Sequence, residues 1–110
     1  MKQTLTLFLL FFTFTIYGQV LYVVDYAFQA DVKVCEVRYP NQADVLVYVA
    51  PYPYRAKGNR GSWHFTKLRY TSEKTVFFTK YPFQADVKVY FVGYLSQSKW
   101  VNKEKRKYFD

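Results

Sequence analysis

FQADVKV stands at residues 28–34 and again, letter for letter, at residues 83–89. Chance does not repeat seven residues in a chain of 110. The match is wider than the heptapeptide: residues 26–39, YAFQADVKVCEVRY, and residues 81–94, YPFQADVKVYFVGY, agree at ten of fourteen positions. Weaker copies begin at Tyr39 (YPNQAD), Tyr52 (YPYRAK), Tyr70 (YTSEK) and Tyr94 (YLSQSK). The leading tyrosines fall at 26, 39, 52, 70, 81 and 94, at intervals of 13, 13, 18, 11 and 13. The long interval holds GNRG at residues 58–61, a turn insertion. A catalytic site does not need such repetition, whereas a backbone that makes one manoeuvre several times does.

Each unit has a strand-like part and a corner. VLYVVDY, VKVCEVRY, VLVYVAPY, WHFTKLRY, TVFFTKY and VKVYFVGY are rich in Val, Tyr, Phe and Thr, which suit a pleated, half-buried surface. Val87, Val89 and Phe91 alternate with Lys88, Tyr90 and Val92, and apolar residues on both faces predict strands covered on both sides. Pro40, Pro53 and Pro82 each follow a leading Tyr and forbid a continuing helix. The corners are Gln29-Ala30-Asp31, Gln42-Ala43-Asp44 and Gln84-Ala85-Asp86. Their aspartates are expected to bond local amides at the bend. Isolated on separate turns without clustered oxygen donors, they do not form a calcium loop. The fold class is all-β: one small domain of six or seven short strands built on a repeat of about 13 residues.

The chain opens MKQTLTLFLLFFTFTIYGQ. A lysine beside the initiator, a short apolar run and small Gly18 read as a secretory signal peptide over residues 1–18. The run is shorter than the roughly 20 residues that a membrane span needs. Removing 18 of the 110 residues leaves a single domain of 92, residues 19–110, expected to be secreted or periplasmic. Cys35 is its only cysteine, so no internal disulfide is available. Aromatic residues make up 23% of the chain, and each buried one removes about 150–250 Å² from water. Charge is uneven. Residues 19–54 hold two basic and four acidic residues, net −2, whereas residues 55–110 hold thirteen and four, net +9. The second half is a candidate anion-facing surface.

No catalytic constellation is present. His64 is the only histidine and is flanked by Trp63 and Phe65 rather than by acids or thiols. Cys35 lies beside Glu36 in a strand, and an acidic neighbour raises a thiol pKa. There is no phosphate-cradling glycine loop and no HExxH or GxSxG pattern. The expectation is a protein that is not an enzyme and uses no metal or cofactor. The tail is the remaining chemistry: Lys99, Lys103, Lys105, Arg106 and Lys107 bracket Trp100, Tyr108 and Phe109. Trp100 is the expected anchor of the tail, and the cations are candidate contacts for an anionic cell-envelope polymer.

The QAD units, the RAKGNRG stretch at residues 55–61 and the Trp100-Val-Asn-Lys segment together resemble the septoil knot family of bacteria. The resemblance runs over residues 20–109. It implies a β-rich backbone tied in a seven-crossing torus knot, and no enzymatic activity. Ser72-Glu73-Lys74 stands where other units have Gln-Ala-Asp, and Cys35 takes the slot of Tyr90. The functional expectation is a small secreted structural or interaction module, a monomer whose fold unfolds slowly without disulfide or metal. The second expectation is a binding protein for an anionic envelope polymer, acting through the basic, aromatic second half and not on nucleic acid.

Overall fold

The computed structural model describes residues 19–56 and 58–110. The expected signal segment lies outside the described residues. Seven strands form one sheet: β1 Val20–Val23, β2 Val32–Glu36, β3 Val45–Val49, β4 Ser62–Phe65, β5 Lys74–Phe78, β6 Val87–Val92 and β7 Lys99–Trp100. β4, β1, β5, β2, β6 and β3 pair in that order, all parallel, and β3 pairs with β4 to close the ring. That closing pair is short. β4 takes only Tyr48 and Val49 of β3, while β7 lies antiparallel against Val45 and Leu46. β7 thus fills the gap between β3 and the start of β4.

Read around the barrel, the order is β1-β5-β2-β6-β3-β7-β4, so each strand lies two places beyond its predecessor in the chain. The backbone goes round twice, and the second circuit drops its strands into the gaps left by the first. Each crossover passes over the strand of the other circuit that lies between. The turn Ala27–Gln29 packs on β5, Pro40–Gln42 on β6 and Leu95–Gln97 on β3. Seven turns in two circuits are the winding of a seven-crossing torus knot.

Parallel strands ordinarily need a crossover of a dozen or more residues. Here β1 to β2, β2 to β3, β4 to β5 and β5 to β6 are each joined by eight residues. The economy is possible because the strands crossed, β1, β2, β5 and β6, are four to six residues long. Eight extended residues reach up to roughly 26–29 Å, enough to run back past a strand of about 17 Å. Each crossover spends one tight turn of three residues and is otherwise extended. The corners are equivalent in backbone. Tyr26 and Tyr39 are extended (φ −129° and −130°) before their turns. Ala30, Ala43 and Ala85 close the turns by donating their N–H to the carbonyls of Ala27, Pro40 and Pro82, each at 3.2 Å.

The carboxylates do not bond local amides, and the expectation is corrected. Asp31 Oδ2 accepts the N–H of Thr75 at 2.9 Å, Asp44 Oδ2 that of Lys88 at 2.8 Å and Asp86 Oδ2 that of Lys33 at 2.9 Å. Each partner is the second residue of the strand just crossed, 44 or 53 residues away. The backbone reinforces this clasp, because the N–H groups of Asp31, Asp44 and Asp86 donate to the carbonyls of Thr75, Lys88 and Lys33. The two copies of the heptapeptide meet here: Asp86 of the second binds the backbone of Lys33 of the first.

The repeat's phase also needs correction. The residue that leads the turn Arg69–Thr71 is Leu68, not Tyr70, and Glu73, not Lys74, takes the aspartate slot, its N–H reaching the Val20 carbonyl at 2.6 Å. The leading positions are therefore 26, 39, 52, 68, 81 and 94, with a single irregular interval of 16 at the glycine insertion.

Inside the barrel stand Leu21, Val32, Val34, Val45, Val47, Trp63, Val76, Val87 and Val89, all buried. β-branched side chains fill the narrow ring, and their stiff χ1 favours the extended backbone. The outer strand faces are half-buried under the crossovers. Phe109 closes one end, its ring centroid 4.8 Å from that of Trp63 and 5.9 Å from that of Trp100.

Asp44→Ala leaves the N–H of Lys88 unpaired in a half-buried place and is expected to lower stability by about 1–3 kcal/mol. Asp86→Ala, whose bond to Lys33 is solvent-exposed, should cost less. Urea unfolding midpoints of the two variants check this order. Wild-type stability for Asp44→Ala would show that the clasp contributes nothing.

Candidate functional site

The winding is regular except at one seam, where β7 and β4 share the edge of β3. Here the repeat departs from its own pattern four times, each time towards positive charge or away from negative. The third turn position is Gln29, Gln42, Gln84 or Gln97 elsewhere, and Thr71 in one unit, but Arg55 here. The slot before the strand is Asp31, Asp44, Glu73 or Asp86 elsewhere, but Gly61 before β4 and Lys99 at β7. The insertion adds Arg60.

Gly61 is required by space and by conformation. Its φ is +91°, and a Cβ there would sit 2.7 Å from the Leu46 carbonyl oxygen and 3.2 Å from the Lys99 nitrogen. No carboxylate can occupy that slot, so the clasp that Asp31, Asp44 and Asp86 make at their crossovers is replaced. Gly58, at φ +67°, turns the insertion so that Asn59 points inward. The Asn59 side chain is a latch. Its Oδ1 accepts the Trp100 Nε1–H at 2.9 Å, and its Nδ2 donates to the Arg106 carbonyl at 2.8 Å and to Asp110 Oδ1 at 3.0 Å. Trp100 is 8% exposed. The tail is held at its far end too, where Gln19 Nε2 donates to the Phe109 carbonyl at 2.9 Å.

Two adjoining depressions open at the seam. One, of about 500 Å³, is lined by Tyr54, Arg55, Arg60, Ser62, Leu95 and Ser98. The next, of about 610 Å³, is lined by Asn59, Arg60, Ser98, Lys99, Trp100, Lys103 and Arg106. They share Arg60 and Ser98 and form one groove. Five cationic side chains face it, Arg55, Arg60, Lys99, Lys103 and Arg106, and no acidic residue lines either part. The Arg55 guanidinium lies over the Tyr54 ring, its carbon 5.9 Å from the centroid, and the neighbouring tyrosine shifts its pKa upward from a value that already keeps it charged. Arginine forks and lysine ammoniums converging in one cleft present a field that concentrates anions.

Of the tail cations expected at an anion site, Lys99, Lys103 and Arg106 line the groove, and Lys105 and Lys107 do not. The last two lie 5.6 and 5.7 Å from the ring centroid of Tyr108. The cause is the winding of Lys103–Phe109, a 3-10 helix with three residues per turn. Residues 103, 106 and 109 share one face, so Phe109 enters the barrel on the side on which Lys103 and Arg106 meet the groove. Arg55, Arg60 and Ser62 were not singled out in the sequence. The signal available was the arginine in a glutamine slot.

Elsewhere the chemistry is quiet. His64 is half-buried and donates from Nδ1 to the Ala50 carbonyl at 2.8 Å. Cys35 is buried, and burial pushes its thiol pKa up, with Lys88 opposing and Glu36 adding to the rise. Among the described residues no cluster of three or more His, Cys, Asp or Glu stands ready for a metal.

A family model described as the 7(1) septoil knot domain matches residues 18–101. No curated protein and no solved structure matches the chain. The match stops just after Trp100, so the helix that supplies Lys103, Arg106 and Phe109 lies beyond it.

Asn59→Ala removes three hydrogen bonds and orphans the buried indole N–H of Trp100. We expect unfolding in strong denaturant to accelerate by at least tenfold, equivalent to about 1.4 kcal/mol at the barrier, as read by tryptophan fluorescence. Trp100→Ala should accelerate it further. Unchanged rates in both would show that the tail is not latched at the seam.

Proposed function

The chain belongs to the septoil knot family, and from that premise we propose that this small knotted domain is an exported, non-enzymatic interaction module that binds an anionic cell-envelope polymer. The observation that carries the reading is the groove: Arg55 in a glutamine slot and Lys99 in an aspartate slot converge with Arg60 of the insertion and Lys103 and Arg106 of the last helix, and no acid lines either depression. Export is supported by the sequence of residues 1–18. The fold suits such a place. It has no disulfide to be reduced and a core of valines in a closed ring, and its tail must withdraw before it can untie. Survival is then governed by a rate rather than by an equilibrium of about 5–15 kcal/mol. A monomer suffices for this role, because the groove is built within one chain.

The polymer, not a small anion, is the favoured ligand class. The two depressions adjoin and are open, with cations along both, so a repeated charge finds successive partners. Electrostatic attraction of this kind is screened at a Debye length of about 10 Å in 0.1 M salt.

The test is elution from a heparin or polyphosphate matrix against salt. Changing Arg55, Arg60, Lys99 and Arg106 together to Gln should move elution to markedly lower salt. Changing Lys105 and Lys107 to Gln, which removes charge outside the groove, should move it far less. Equal shifts per charge removed would mean that net charge alone binds and that the groove is not the site.

A further inference from the structure

The groove is not lined by charge alone. Tyr54 is 60% exposed and Leu95 51% exposed, and both line the first depression beside Arg55, Arg60 and the hydroxyl-bearing Ser62 and Ser98. A ligand made only of phosphates would use the cations and leave this apolar surface in water. The tyrosine is also positioned in advance. Its ring stacks on Tyr52 with centroids 5.6 Å apart and 9° between planes, and the Arg55 guanidinium carbon lies 5.9 Å from its centroid. A ring held this way loses little freedom on binding.

Three corners carry such aromatic pairs: Tyr26 with Phe28, Tyr81 with Phe83, and Tyr52 with Tyr54. The first two are followed by Gln29 and Gln84, the third by Arg55. At the seam one ring of the pair, Tyr54, meets Arg55 and Arg60 in one depression.

We propose that the groove takes an acidic glycan, with one sugar ring seated against Tyr54 and Leu95 and its carboxylate or sulfate held by Arg55 and Arg60. This rests on the reading of the groove as an anion site and names the class of anion. A pyranose ring has an apolar C–H face that covers an aromatic ring and equatorial hydroxyls that donate to Ser98, whose own hydroxyl is committed to the Leu95 carbonyl at 2.7 Å. In an acidic glycan, ring and charge belong to the same residue, so both fall within a depression of about 500 Å³. Single-stranded nucleic acid also stacks on aromatic rings, but it uses successive platforms along a track. The groove has one exposed ring and then cations.

The experiment compares three probes at matched charge and salt, a uronate oligosaccharide, inorganic polyphosphate and oligo(dT), binding to residues 19–110. Tyr54→Ala should weaken the uronate oligosaccharide by about tenfold, or about 1.4 kcal/mol, and leave polyphosphate within about twofold, the spread of small electrostatic changes. Tyr54→Phe should keep most of the uronate affinity. If Tyr54→Ala changes uronate and polyphosphate alike, or changes neither, the stacking proposal is overturned, and the anion site stands provided Arg60→Gln weakens both. If oligo(dT) binds tighter than the uronate and suffers the same loss in Tyr54→Ala, nucleic acid replaces the glycan. If Arg55→Gln/Arg60→Gln weakens no probe, the anion site itself falls.

Discussion

A carboxylate at the foot of a crossover, bonded to the amide of the strand just passed, joins one circuit of this chain to the other. Asp31 to Thr75, Asp44 to Lys88 and Asp86 to Lys33 repeat the same contact at the same register. The repetition follows from geometry. A barrel of parallel strands that advances by two places meets the same obstacle at every step, a strand of the other circuit to be crossed and then paired beside. The same corner solves it each time, which is why the heptapeptide is written twice. True knots are essentially absent from proteins because threading costs time and invites traps. Short strands, eight-residue crossovers and a local turn at each corner reduce that cost, because each step of the winding is a small local move.

The corner and the strands were legible in the sequence. Gln-Ala-Asp carries its own conformation, with a proline or alanine opening a tight turn and an extended residue after it. The partner of each aspartate was not legible, because it lies 44 or 53 residues away and local pattern holds no record of it. Tyr70 misled the phase. It resembles a leading tyrosine but occupies the middle of its turn, and Leu68, a residue with no letter in common with the pattern, holds the leading place. Nor did periodicity show that the ring is parallel, since a valine-rich run reads alike in either direction.

The groove was half legible. Runs of lysine in a tail announce positive charge, but the three-residue winding of the last helix decides which of them meet. Lys103 and Arg106 turn to the seam, and Lys105 and Lys107 turn to Tyr108. Arg60 reads in sequence as part of a turn insertion, and Arg55 as one variant of a corner. Their significance appears only when the corner is known to be the rule and the seam its exception. The same exception links fold and proposed function. The seam lacks the carboxylate clasp because Gly61 has no room for one, and it is latched by Asn59 and Trp100 instead. No acid lines the two depressions there, and five cations do.

The central claim is that the backbone is tied, and the ends of the folded chain meet closely enough to test it, since the Gln19 side chain bonds the Phe109 carbonyl at 2.9 Å. The measurement uses residues 19–110 carrying Gln19→Cys, Asp110→Cys and Cys35→Ala. One sample is oxidised to a ring in the folded state. A second, chemically synthesised and never folded, is oxidised to a ring in denaturant. Both are then compared in strong guanidinium by hydrodynamic radius. A knot trapped by native closure cannot be removed by denaturant, so the first ring should remain more compact than the second, although the two are covalently identical. Equal radii would contradict the knot and, with it, the account of why the sequence repeats.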